Sequence, residues 1–209
     1  MKAEDLQQVR PGFHDAALGS QAVFRTALSA LSHPGRVIGM PDVSALPRHG
    51  HGAAAQLLQS LVDSDCAVWL SPKLASSDAA PWLRFHTGCR WAAAPADARF
   101  LWVAEGDTLP ALASLDAGTD EYPDQSATCV IEVAALAGAG ADAFVLTGPG
   151  IASEQTLCAT GLPDDFVDQW DANHRRFPRG VDLFLATPGH IAGLPRSTCV
   201  RAAQTTVEA

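Results

Sequence analysis

Lysine is almost missing from this 209-residue chain: Lys2 and Lys73 stand alone among 14 basic residues, the other 12 being arginine. Acidic residues number 23, the net charge is -9 and the pI is near 5.1. A broad electrostatic grip on nucleic acid or on an anionic membrane needs clustered cations, so both partners are excluded. No run of about 18 apolar residues occurs anywhere, which excludes a membrane-spanning helix. The opening "MKAEDLQQVRPGFHDAALGS" has no hydrophobic leader region, and a cytoplasmic location is expected. The chain also lacks a Cys-x-x-Cys pair, a His-Glu-x-x-His helix and the Lys-Ser/Thr of a P-loop, so no metal site is expected.

What remains is the make-up of a folded globular protein, 47% hydrophobic and 18% charged. The length fits one domain, read as residues 20–203, with an N-terminal arm over 1–19 and a tail over 204–209. Five widely spaced cysteines, an odd number with small or apolar neighbours, predict reduced and partly buried thiols.

The order of elements is mixed α and β. Ser20 is expected to cap a helix whose Val23, Phe24, Ala27, Leu28 and Leu31 form a buried stripe, with "SHPG" ending it and "RVIGM" following as a strand. A second helix is predicted over 53–62. Strands are predicted at "CAVWLS", "WLRFHT", "RFLWVAE", "TCVIEVAAL" and "AFVLTG", and a short helix at "LPALASL". Residues 134–143 read as a loop and "DDFVDQWDANHRR" as a late helix. "VDLFLATPGHIAGLPR" reads as two strands joined through Pro188-Gly189, which argues against an all-parallel sheet.

Several constellations carry candidate chemistry. "LTGPGI" sets Thr147, Gly148 and Gly150 after an apolar strand, where backbone N–H groups can approach an anion, although a tight turn accounts for the same residues. "HGHG" at 49–52 offers two imidazoles and no further ligands, and reads as a polar loop. Asp63 and Asp65 are paired carboxylates suited to a cation or to acid–base work, or to plain solvation. Arg84, His86 and Thr87 would line an apolar strand, with alternation placing Arg84 and His86 on one face, which suits an anionic ligand as well as a wet sheet edge. Arg179, Asp182, Arg196 and Thr198 bracket the last pair of strands. No Ser-His-Asp or Cys-His ordering stands out.

Taken in order, "FRTALSALSHPG", "LVDSDCAVWLS", "LRFHTG", "LTGPGI", "FPRGVDLFL" and "LPRST" resemble the PhnH family, the H subunit of the carbon-phosphorus lyase system for phosphonate use. The resemblance implies a three-layer α/β/α fold with a mixed sheet, similar to the large domain of PLP-dependent transferases, a homodimer, and no PLP. Lys2 and Lys73 agree with that last point, since neither has a convincing Schiff-base setting. It further implies partnership with the G, I and J subunits in an assembly that joins ribose triphosphate, taken from ATP with loss of adenine, to an alkylphosphonate. A nucleotide or phosphonate ligand is then expected. Arg84, His86 and Arg196 would hold the phosphonate and Asp63 or Asp182 would stabilise positive charge at the anomeric carbon. Thr87, Thr147, Gly148 and Gly150 complete the ligand candidates, and Arg25, His33, Asp63, Asp65 and Phe177 are interface or cleft candidates. These ligand residues are expected to converge on one cleft near the dimer interface. The competing reading is a non-catalytic scaffold or a free-standing dimer that binds a small anion.

Overall fold

The computed structural model describes residues 10–42, 44–140 and 143–203. In chain order the elements are β1 (Gly12–Phe13), α1 (Ala16–Ser32), β2 (Ile38–Gly39), β3 (Ser44–Ala45), α2 (Gly52–Leu61), β4 (Ala67–Leu70), α3 (Pro72–Ala75), α4 (Ala79–Thr87) and β5 (Arg90–Trp91). They continue with β6 (Phe100–Val103), β7 (Thr128–Glu132), β8 (Ala135–Ala137), β9 (Phe144–Thr147), β10 (Gln155–Thr160), α5 (Phe166–His174), β11 (Asp182–Ala186), β12 (His190–Leu194) and β13 (Cys199–Ala202). The Lys2 position and the 204–209 tail lie outside the described residues.

The frame is a seven-stranded sheet in the order β2-β12-β11-β7-β6-β4-β5. Strands β4, β5, β6, β7 and β11 are parallel, while β12 alone runs the opposite way, antiparallel to both β11 and β2, as the Pro188-Gly189 turn predicts. Side chains of the central strands alternate between two cores, because successive residues of a strand point to opposite faces. Trp102, Val130 and Phe184 face α1, α2 and α4, where they meet Leu57, Leu58, Trp82 and Leu83. Leu101, Cys129, Ile131, Leu183 and Leu185 face the other way, onto Phe166 and Trp170 of α5 and onto Leu146 and Leu157. These last two belong to a four-stranded antiparallel sheet, β13-β9-β10-β8. One outer layer is thus helical, as expected, and the other combines a helix with a second sheet.

Helix α1 begins before the expected Ser20. Asp15 is its cap, with the carboxylate accepting from the N–H groups of Ala17 and Leu18 at 3.0 and 2.9 Å. Its buried side is Gly19, Val23, Ala27 and Ala30, whereas Phe24 is 44% and Leu28 50% exposed. The reason lies in the strand beneath: a Cβ on Gly193 of β12 would stand 2.6 Å from the Ala30 carbonyl. Helix and strand backbones touch there, so only small side chains fit between them, and the large ones turn outward.

"WLRFHT" is the last part of helix α4 rather than a strand. Ala79, Trp82 and Leu83 bury one helical face at i, i+3 and i+4, Pro81 fits within the first turn, and Gly88 ends it. Within 134–143, residues 135–137 form β8, and "LPALASL" contributes only a 3-10 turn at Leu112–Ser114. Strands β10 and β13 were not expected from the sequence.

Candidate functional site

Parallel strands leave two unlike edges. At the C-terminal edge the order doubles back, since β4 is flanked by β5 on one side and β6 on the other. Open α/β sheets form a ligand crevice at such a switch. Glu132, the last residue of β7, is 4% exposed and fully engaged: it accepts from the His51 N–H, from Trp102 Nε1 at 2.8 Å and from the Glu105 N–H at 3.3 Å. His51 caps α2 by position, and its Nδ1 meets the carbonyl of Ala186 at 3.0 Å. That carbonyl can only accept, so the hydrogen is fixed on Nδ1, and Nε2 faces the Glu105 carboxylate at 3.2 Å.

The strand neighbouring this group ends in Ser71, fully buried, whose hydroxyl accepts from the Ala104 N–H at 2.9 Å. Asp107 sits beside it. Burial pushes the Asp107 carboxyl up, but hydrogen bonds from Ser71 and the Lys73 N–H, with the Lys73 ammonium 3.6 Å away, outweigh it and hold the group below its ordinary value. The Lys73 ammonium also donates to the Glu105 carbonyl at 2.8 Å. A cleft of about 440 Å³ opens here, lined by Asp107, Glu132, Asp165 and Gln169 among others. Its carboxylates suit hydroxyl donors or developing positive charge and repel an anion.

The expected ligand residues lie elsewhere. Asp182 pairs with Thr128 in register, four residues before the Ala186–Glu132 pair, so it stands at the N-terminal edge of the sheet, about 13 Å from Glu132 by strand rise. There Arg196 clamps it: the Arg196 N–H donates at 2.8 Å, and the guanidinium donates through Nε and Nη2 to both carboxylate oxygens. Arg196 also donates through Nη1 to the Pro123 carbonyl, so all three guanidinium nitrogens of the expected phosphonate holder are bonded to the protein itself.

Gly148 lies against Ser197 and Thr198, and Thr147 pairs with Cys199. Gly150, at φ 85°, would place a Cβ 2.2 Å from the Ser32 carbonyl, beside His33, whose Nδ1 meets the Ser29 carbonyl at 3.0 Å. "LTGPGI" is therefore a turn, closed by the Ile151 N–H to Gly148 carbonyl bond, that lets two chain segments touch.

Arg84, His86 and Thr87 do not join this group, because α4 packs on α2 and α3 in the helical layer. Residues 84 and 86 also point apart, being two positions apart on a helix instead of on one strand face. Arg84 is exposed. His86 Nε2 meets the Arg10 carbonyl at 2.8 Å, and Thr87 donates to Leu83 at 2.8 Å. Asp63 and Asp65 line a second cleft, of about 480 Å³, together with Asp97, Asp116 and Arg99. Hydrogen bonds from the Cys66 thiol and the Asp65 N–H hold the Asp63 carboxyl below its ordinary value. Arg25 and Phe177 are exposed.

Sequence reasoning missed Glu132, His51, Ser71 and Asp107. A glutamate inside "TCVIEVAAL" and the imidazoles of "HGHG" were the available signals: a charge within an apolar run marks a buried, paired group. It also missed a Cys-His pair, Cys199 and His174, which lie 3.1 Å apart (Sγ to Nε2) although 25 residues separate them. Among the described residues no three His, Cys, Asp or Glu are placed to hold a metal ion, and no helix is long and apolar enough to cross a membrane.

The mixed sheet and its two edges define an α/β protein, and the chain matches, over residues 11–201, the family described as bacterial phosphonate metabolism protein (PhnH). It belongs to the PhnH family. It is 38% identical over 187 residues, 89% of this chain and 92% of the relative, to the alpha-D-ribose 1-methylphosphonate 5-triphosphate synthase subunit PhnH of Rhizobium meliloti strain 1021. It is 37% identical over 182 residues, 85% of this chain and 84% of the relative, to HtxG of Stutzerimonas stutzeri, which is named provisionally as a C-P lyase subunit protein.

Proposed function

We propose that this chain is a subunit of the carbon-phosphorus lyase system, acting in the assembly that forms ribose 1-alkylphosphonate 5-triphosphate from ATP and an alkylphosphonate with release of adenine. The observation that carries this reading is the similarity, along nearly the whole of both chains, to a relative named as a subunit of the methylphosphonate synthase. The fold family is that of PLP-dependent transferases, used without PLP. In support, Lys73 has its ammonium committed to the Glu105 carbonyl and lies beside Asp107. The acidic C-terminal cleft suits the sugar end of such a substrate, where hydroxyl groups need acceptors and charge builds up at the anomeric carbon.

The chain works as a cytoplasmic homodimer with the G, I and J subunits, and the outward face of α1 supplies the contact with the second copy. Leu18, Phe24 and Leu28, at 66, 44 and 50% exposure, flank Arg25 on one side of that helix, and exposed apolar stripes of this kind mark protein contacts. Co-expression with the G, I and J subunits tests the assembly: the chain is expected to co-purify with them, and its absence where the three associate with one another overturns the reading. Light scattering of the chain alone tests the dimer, with F24D/L28D expected to be monomeric and folded. Calorimetry with ATP, adenine and methylphosphonate separates the competing reading, since tight binding by the lone dimer without partner association favours a free-standing binder.

A further inference from the structure

We infer that Cys199 is a histidine-assisted nucleophilic thiol, and that the Cys199–His174 pair forms a modification site for small soluble peroxides. Cys199 opens strand β13 between Thr198, fully buried, and Val200, 8% exposed, and alternation turns its side chain out to solvent. Its Sγ lies 3.1 Å from His174 Nε2, while His174 Nδ1 meets the Arg196 carbonyl at 3.0 Å. The carbonyl accepts only, so Nδ1 carries the hydrogen and Nε2 presents a lone pair to the thiol. A nucleophile in hydrogen-bond reach of a base, itself oriented by a third group, is the arrangement that activates thiols.

The pair is held from both sides. Trp170 of α5, one turn before His174, donates its indole N–H to the Thr198 carbonyl at 2.8 Å. Asn173 exchanges two hydrogen bonds with Val181, at 3.0 and 2.8 Å, fixing the end of α5 to the start of β11. The orienting carbonyl belongs to Arg196, which Asp182 clamps. Arg196, expected to hold a phosphonate, and Asp182, expected to stabilise anomeric charge, thus pair here as the support of a base.

The other cysteines are unlike it. Burial pushes the thiols of Cys66, Cys89 and Cys129 up, away from the reactive thiolate form. Cys158 is half-buried behind Gly140, and no imidazole among the described residues bonds it. In the reaction the Cys199 sulfur attacks one oxygen of the peroxide and the O–O bond breaks. The thiol hydrogen passes through His174 to the leaving oxygen, which departs as water or alcohol. Sulfur is oxidised to a sulfenic acid and the peroxide is reduced.

The test treats the purified full-length chain with hydrogen peroxide and dimedone, or with iodoacetamide, and reads each cysteine by mass spectrometry. Cys199 is expected to react at least about tenfold faster than Cys158, and H174Q to remove most of that advantage while leaving the Cys158 rate unchanged. Cys89 and Cys129 serve as the folding control and should stay unlabelled in both proteins. If H174Q exposes them, the wild-type ratio of Cys199 to Cys158 decides alone. Equal rates at Cys199 and Cys158 in the wild type, or a Cys199 rate untouched in a folded H174Q, overturn the proposal.

Discussion

The indole N–H of Trp102 donates to the carboxylate of Glu132 at 2.8 Å, inside the C-terminal edge of the sheet and between two neighbouring parallel strands. The same carboxylate receives the backbone N–H groups of His51 and Glu105. One side chain therefore joins β7, β6, the segment after β6 and the start of α2.

Removing that acceptor leaves three donors without a partner. Glu132→Ala is expected to lower unfolding stability by about 3 kcal/mol, and Glu132→Gln by about half as much, because the amide oxygen still accepts from Trp102. Urea denaturation followed by tryptophan fluorescence measures both, and equal losses would contradict the assignment of Glu132 as an acceptor hub.

Gly150 is expected to tolerate no side chain. A methyl there meets the Ser32 carbonyl at 2.2 Å and the Pro34 ring at 3.0 Å, on a backbone at φ 85°. Gly150→Ala should cost about 2 kcal/mol or more, whereas Gly189→Ala, with nothing within 4 Å of the added carbon, should change stability by less than about 0.5 kcal/mol. Thermal unfolding of the two variants side by side gives the comparison.

Arg196 holds Asp182 through a two-pronged contact that a lysine cannot reproduce. Arg196→Ala should cost about 3 kcal/mol, since it strands a mostly buried carboxylate, and Arg196→Lys should recover less than half of that. A lysine variant as stable as the wild type would show that the planar geometry is not what stabilises the pair.

Acid should loosen the joint between the loop before α2 and the start of α4. Burial pushes the Asp78 carboxyl up, but hydrogen bonds from the Arg48 N–H, the His49 ring and the His49 N–H outweigh it and hold the group below its ordinary value. A group lowered in the folded state stabilises the fold above its unfolded value and loses that contribution as pH falls through the folded one. Stability should therefore drop from about pH 4 downward, and less steeply in Asp78→Asn. Urea midpoints between about pH 5 and pH 3 check this, and parallel slopes would exclude Asp78 as a contributor.

The alternating sheet was legible because Val, Ile, Leu and Phe in short runs between Gly and Pro leave little choice. Helix α4 was not, since Trp82, Phe85 and Thr87 favour strands by type, and only the i, i+3, i+4 burial of Ala79, Trp82 and Leu83 separates the two forms. Asp182 and Arg196 were singled out as charges next to apolar strands, and they do meet. Their bonding to each other, which turns the arginine onto Asp182, depends on a 14-residue separation closed by the β11–β12 hairpin. Likewise "HGHG" gave no hint of Glu132, 81 residues from His51, because only the folded sheet brings them together.

The contact of Ala30 with Gly193 has a mechanical side. With no side chain between them, α1 and β12 form one stiff plate, as close-packed interiors transmit displacement with little give. The plate ends in the turn at Pro188, whose carbonyl takes the N–H of Ala53 in the first turn of α2, two residues from His51. A load on Leu28 is therefore carried, through rigid backbone, toward the segment whose His51 N–H is bonded to Glu132.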